Sequence, residues 1–150
     1  MDLMHDFWER FKKELNEPQA TYKSHFHFEL MEELAQCLLE LVLKGKKRAT
    51  ASSLYAFQIE NEPLPKAGDY HIITDFHGVP RCVIRTTKVT ILPFNEITYD
   101  ICKREGEDDT LESWQKGHQR FYEEEGKQLG YSFTETMPVV FEDFEVVYQE

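Results

Sequence analysis

YHIITDFHGVPRCVIRTTKVTIL, residues 70–92, is dense in β-branched and aromatic side chains and is broken once, at His77-Gly78. Tyr70 to Phe76 and Arg81 to Leu92 therefore read as two strands of a hairpin, which Pro93 ends. Working outward, Val139 to Tyr148 is again rich in Val and aromatics and is expected to return as a strand. The flanks are helical in pattern. Leu3, Met4, Phe7, Trp8, Phe11 and Leu15 recur at steps of three and four, so Asp2 to Leu15 reads as an amphipathic helix, with Trp8 and Phe11 in the core. Met31, Leu34, Ala35, Leu38, Leu41 and Val42 make Glu29 to Lys44 a second helix, with Gly45 placed for a left-handed cap. Thr50 to Glu60 fits a short helix or a strand equally and is read as a helix. Phe94 to Arg104 reads as a short helix, and Thr110 to Glu125 as a longer one behind the capping-box pair Asp109 and Glu112. Helices and strands that do not alternate one for one predict an α+β domain with a small, mainly antiparallel barrel flanked by helices.

A chain of 150 residues with 41% hydrophobic and 30% charged residues fits one domain, residues 1–150, with an N-terminal helical extension at about residues 1–27. No apolar run approaches the roughly 20 residues that span a bilayer, so no membrane partner is expected and the chain reads as cytoplasmic. Cys37, Cys82 and Cys102 are odd in number and widely spaced, which argues against a disulfide framework. His25 and His27 alternate on one face of an extended segment but lack further ligands nearby, so neither a metal nor another cofactor is expected. The net charge of -11 is unfavourable for stable binding of duplex DNA. That charge is uneven. From Arg104 onward there are four basic residues against thirteen acidic ones, whereas Lys44 to Lys88 holds eight basic against four acidic. A basic middle of this kind suits one phosphate or a short single strand, or simply a solvated turn.

Three stretches carry chemistry-bearing residues. In Gly45-Lys46-Lys47-Arg48-Ala49-Thr50, Lys47 and Thr50 lie three apart where a helix ends. A partly dry lysine gives up its proton more readily and can activate a neighbouring hydroxyl; a charged one binds phosphate or a carbonyl. The plainer alternative is a helix cap followed by solvated basic residues. Pro65 to Tyr70 is a turn that launches a strand, with Asp69 satisfying amides in it. Glu105-Gly106-Glu107-Asp108-Asp109 crowds carboxylates between two helices, where they raise one another's pKa or, more simply, stabilise the N-terminus of the next helix; Glu107 to Asp109 are read in that simpler role.

In this order the three stretches resemble the ASCH family of small domains with a PUA-like barrel. The motifs are G-x-K-x-x-T at Gly45, Lys47 and Thr50, P-x-x-G-D at Pro65, Gly68 and Asp69, and an E-G acidic loop followed by Leu111, Trp114 and His118. The resemblance implies RNA binding, in some members RNA cleavage, and in one compact branch hydrolysis of an amide on acylated cytidine by a Lys, a Thr and a Glu. Carried across, these are Lys47, Thr50 and Glu105.

Two readings lead, beside a third in which the cleft is a relic and the domain is an interaction partner. In the enzyme, an amidohydrolase or ribonuclease, Thr50 is the nucleophile, Lys47 its base, and Glu105 orients Lys47 or protonates the leaving amine; Tyr55, Arg81, Arg85 and Trp114 are candidates for stacking on a base or holding phosphate. In the non-catalytic RNA-binding module, Lys46, Lys47 and Arg48 contact phosphate while an aromatic stacks one unpaired base. Both predict RNA or a nucleoside-type small molecule as partner. Lys47 and Glu105 in hydrogen-bond reach inside a concave pocket would favour the enzyme.

Overall fold

A computed structural model describes residues 2–29 and 31–150. The elements in chain order are α1 (Leu3–Leu15), β1 (Ser24–Phe26), α2 (Glu32–Leu43), β2 (Ala49–Ser53), α3 (Leu54–Ile59), β3 (Tyr70–Thr74), β4 (Pro80–Pro93), α4 (Tyr99–Cys102), α5 (Leu111–Leu129) and β5 (Pro138–Gln149). The five strands form one curled sheet, a half-barrel, in the order β1-β3-β4-β5-β2. All pairs are antiparallel except β1 with β3. This is the mainly antiparallel α+β architecture that the hairpin predicts.

Helix α1 begins where the Asp2 side chain accepts the His5 amide proton at 3.1 Å, and it ends at Asn16 in the left-handed region (φ 61°). Its apolar stripe, Phe7, Trp8 and Phe11, is buried against Ile72 and Val83 of the sheet. On another part of the sheet, α2 buries Leu39 and Val42 with Ile73, Ile84 and Phe144. A third cluster gathers Trp114 and Tyr122 of α5 with Ala49, Ala51, Val139 and Phe141. The site lies where α2 and α5 approach β2.

Several elements differ from expectation for local physical reasons. Glu29 has φ +64°, so it cannot belong to a right-handed helix, and α2 starts at Glu32; Leu30, inside the expected range, lies outside the described residues. Thr50 to Glu60 is split. Its first part completes β2 against β5, and Ser53 caps α3 by accepting the Tyr55 amide proton at 3.1 Å. Phe94 to Arg104 is not a continuous helix: 3₁₀ turns at Phe94–Glu96 and Lys103–Glu105 flank the single α-turn of α4, because extended backbone at Ile97 seats that side chain and Phe94 in the core. The N-cap of α5 is Thr110, whose hydroxyl accepts the Ser113 amide proton at 3.1 Å, and the helix passes Glu125 to reach Leu129. Gly126 does not break it: a Cβ there would lie 2.3 Å from the Tyr131 carbonyl, so the glycine permits that close approach. No described helix is long and apolar enough to cross a membrane.

Candidate active site

Between α2 and β2 the chain runs Gly45 to Arg48. Gly45 adopts φ +77°, and the amides of Lys46 and Lys47 both close on the Leu41 carbonyl. Lys46 and Arg48 are exposed, whereas Lys47 between them is 1% exposed. The expectation of a solvated basic turn therefore fails at its central residue. In-and-out alternation on entering a strand turns that side chain toward the core.

The Lys47 ammonium donates to the Ala49 carbonyl at 2.8 Å, to Glu105 Oε2 at 2.9 Å and to Glu107 Oε2 at 2.6 Å, and lies 5.2 Å from the centroid of the Phe28 ring. Three donors meet three acceptors, so every ammonium proton is used. Burial favours the neutral amine, but Glu105 and Glu107 outweigh it and raise the Lys47 pKa above its ordinary value.

Glu105 is equally buried. Its Oε1 accepts from the Trp114 indole at 2.9 Å and faces His118 Nε2 at 3.1 Å. Burial opposes its charge, yet Lys47 and then His118 hold its pKa well below the usual carboxylate range. Glu107 is the more open carboxylate, with its side chain 17% exposed. Burial, together with the Glu105 charge and against the pull of Lys47, raises its pKa to about 7. Glu107 thus departs from the helix-terminus role expected of it, because it turns inward onto Lys47. Asp108 stays near α5 and accepts from the Ser113 hydroxyl at 2.5 Å.

Gly106 makes this convergence possible. With φ +70°, it packs so closely on the turn entering β2 that a Cβ would lie 2.2 Å from the Lys46 carbonyl oxygen. The Arg48 amide donates to the Arg104 carbonyl at 2.9 Å alongside it, so the two backbones are clamped together.

Above the buried charges lies a cleft of about 410 Å³ whose walls include Phe28, Leu38, Leu41, Thr50, Glu107 and Phe121. Arg120 of α5 pairs with Glu29 at 3.0 Å, and both also line the cleft. Of the residues anticipated from sequence, Lys47, Thr50 and Glu105 thus converge on one cleft. Lys46 and Arg48 stand outside it. Tyr55 packs against Tyr131 with ring centroids 5.8 Å apart, Arg81 bonds the Glu150 carbonyl at 3.4 Å, and Arg85 pairs with Glu145; none of the three lines the cleft. Trp114 is a core residue, 1% exposed, that uses its indole proton to hold Glu105.

Sequence reading missed Glu107 and His118 as members of the site. The E-G-E spacing and the four-residue step from Trp114 to His118 were the available signals. Glu105, Glu107 and His118 bring polar atoms within 4.8 Å of one another. Here the protein's own ammonium already bridges the two carboxylates.

The ASCH domain model matches residues 24–148. The chain belongs to the ASCH domain family. This ASCH domain is similar to the crystal structure of a protein from Enterococcus faecalis V583, at 37% identity over 97% of this chain and 88% of that one, with a TM-score of 0.90. An ASCH domain from Lactobacillus crispatus JV V101 is 33% identical over 97% of this chain and 94% of that one, with a TM-score of 0.87. A mutant ASCH protein from Zymomonas mobilis, 12% identical over 82% of this chain and 69% of that one, shares the fold at a TM-score of 0.52. No match is found among curated proteins.

Proposed function

We propose that the cleft binds a nucleoside and hydrolyses an amide on its acylated base, with Thr50 as nucleophile. One observation carries this reading: the buried Lys47, clamped by Glu105 and Glu107, lines the same cleft as Thr50. The volume, about 410 Å³, falls in the range of about 300–1,000 Å³ usual for small-molecule sites. The walls set Glu29, Glu105, Glu107 and Asp108 beside Lys47, Arg120 and His118, a nearly balanced mixture of charge that gives a polyphosphate backbone no strong net attraction.

The hydrogen-bond inventory refines the expected roles. Lys47 has no lone pair free while its three protons are donated, so it accepts the Thr50 proton only as it passes one to Glu107. Thr50 Oγ attacks the amide carbon, the displaced proton reaches Glu107, and the tetrahedral adduct forms. Glu107 then returns that proton to the departing base nitrogen as the C–N bond breaks. Water attacks the resulting Thr50 ester and gives up a proton along the same path. The acid leaves, and the Thr50 hydroxyl is restored. Glu105, saturated with donors, holds Lys47 in place without transferring a proton.

Incubating the protein with N-acylated nucleosides and with short RNAs, and following products by mass, tests this reading. Release of the free nucleoside and the acid is expected. RNA fragments without deacylation would point to strand cleavage instead, and binding of RNA with no product would point to the non-catalytic module.

A further inference from the structure

We propose that His118 is a positioning residue, held as an imidazolium that fixes Glu105 in its ionised form and leaves Glu107 as the carboxyl of the cluster that exchanges protons with the contents of the cleft. The inference deepens the amidase reading, and rests on it only for the use to which the proton is put.

The ring geometry sets the protonation state. His118 Nδ1 lies 2.9 Å from the Trp114 carbonyl, and a carbonyl oxygen only accepts, so Nδ1 carries a proton. Nε2 lies 3.1 Å from Glu105 Oε1. Glu105 already receives the Trp114 indole proton at 2.9 Å and the Lys47 ammonium at 2.9 Å, the surroundings of an ionised carboxylate. Nε2 must then be a donor too, and a histidine donating from both nitrogens is a cation. Burial pulls the other way, but Glu105 and Glu107 outweigh it, and the His118 pKa is raised above its ordinary value.

The ring has little freedom to leave this state. It stacks on Trp114 with centroids 4.1 Å apart and planes at 20°, meets the edge of Tyr122 at 6.0 Å, and its side chain is 12% exposed. The charged and titratable groups facing it are Glu105 and Glu107 from the acidic loop, Lys47 from the segment entering β2, and Tyr122 from its own helix. Asp108, Arg120 and Glu29 complete the charged wall of the cleft. A residue needed only for packing at this position would be apolar, and it would leave Glu105 Oε1 with the indole as its single donor. With His118 charged, Glu105 has no reason to take a proton. Glu107, more exposed and facing the same two cations with a carboxylate beside it, is the group left to titrate.

The test uses the intact chain with ¹³C-labelled glutamate side chains and ¹⁵N-labelled histidine, titrated by NMR for the unsubstituted protein, His118→Gln and Glu107→Gln. Glutamine keeps one N–H donor and removes the charge. Expected are protons on both His118 ring nitrogens at neutral pH and one glutamate carboxyl titrating at about 7 that disappears in Glu107→Gln. In His118→Gln that titration moves upward by roughly 1 pH unit, because a nearby positive charge no longer favours the carboxylate. A neutral His118 tautomer at neutral pH, or a Glu107 titration unmoved in His118→Gln, overturns the proposal. Should His118→Gln fail to fold, the nitrogen shifts of the unsubstituted protein decide alone. The expected titrations without any hydrolysis of acylated nucleosides would remove the amidase reading and leave the role of His118 standing.

Discussion

Lys47 carries more of this molecule than its place after a helix suggests. A basic residue in a surface turn would be replaced by alanine at little cost, and such a variant would keep its fold. Burial reverses that expectation, since removing the ammonium leaves the two carboxylates of Glu105 and Glu107 sharing the His118 imidazolium alone. Breaking a buried ion pair from one side costs about 3–5 kcal/mol, a large share of the roughly 5–15 kcal/mol that holds a domain together. Lys47→Ala is therefore expected to lose activity and to lower the urea midpoint sharply; a midpoint within error of the unsubstituted protein would show that the cluster is not held as described. Lys47→Arg is expected to be inactive as well, because a guanidinium does not relay a proton near neutral pH. Glu107 makes a second prediction. Its carboxyl binds a proton more tightly folded, with a pKa of about 7, than unfolded, near 4.5. The stability this supplies is fully present below pH 4.5 and is lost as pH rises through about 7. His118 acts in the same direction above 6.5, while Glu105 acts oppositely, its contribution being present above 4.5 and lost as pH falls through its lowered pKa. The thermal midpoint is thus expected to fall from pH 4.5 to about 7, and Glu107→Gln to flatten that slope. An identical slope in both proteins would contradict the titration assigned to Glu107.

At the scale of elements, the glycines separate conformational need from close approach. Gly106 and Gly130 both have positive φ, but a Cβ at Gly130 meets open space whereas one at Gly106 meets the Lys46 carbonyl at 2.2 Å. Gly130→Ala pays only the left-handed backbone term, about 1–2 kcal/mol. Gly106→Ala adds the separation of two backbone segments that carry Lys47 on one side and Glu105 and Glu107 on the other. It is expected to cost more, and to abolish activity even under conditions where it remains folded. Equal losses for the two variants in urea denaturation would show that the close approach is unimportant. The same elements show what was legible in the chain. Strong periodicity announced α1, α2 and α5, and β-branched runs announced β3, β4 and β5. Strand β2, Ala-Thr-Ala-Ser-Ser, has no such signature and exists because β5, some ninety residues later, supplies its partner. Strand β1 is three residues long and forms only as an edge on β3. Propensity is silent where pairing at long range makes the strand.

On the scale of the whole molecule, the net charge of -11 works against a polyanionic ligand. A ligand without phosphates enters against less repulsion than a nucleic-acid backbone does. The sequence motifs brought Lys47, Thr50 and Glu105 into view. They left the depth of Lys47 hidden, because its burial depends on β2 pairing with β5 and on the 104–107 segment lying against residues 46–48. Glu107 and His118 stayed hidden for the same reason: each is an ordinary polar residue until the acidic loop and α5 are folded over Lys47. The central claim is that this cleft breaks an amide through Thr50. It is met most directly by mixing the intact protein, and its Thr50→Ala and Thr50→Ser variants, with an N-acylated cytidine and measuring released cytidine over time. Rapid release by the unsubstituted protein, slower release by Thr50→Ser and none above background by Thr50→Ala is the predicted result. Release by Thr50→Ala as fast as by the unsubstituted protein, or no release by any of the three, would contradict it.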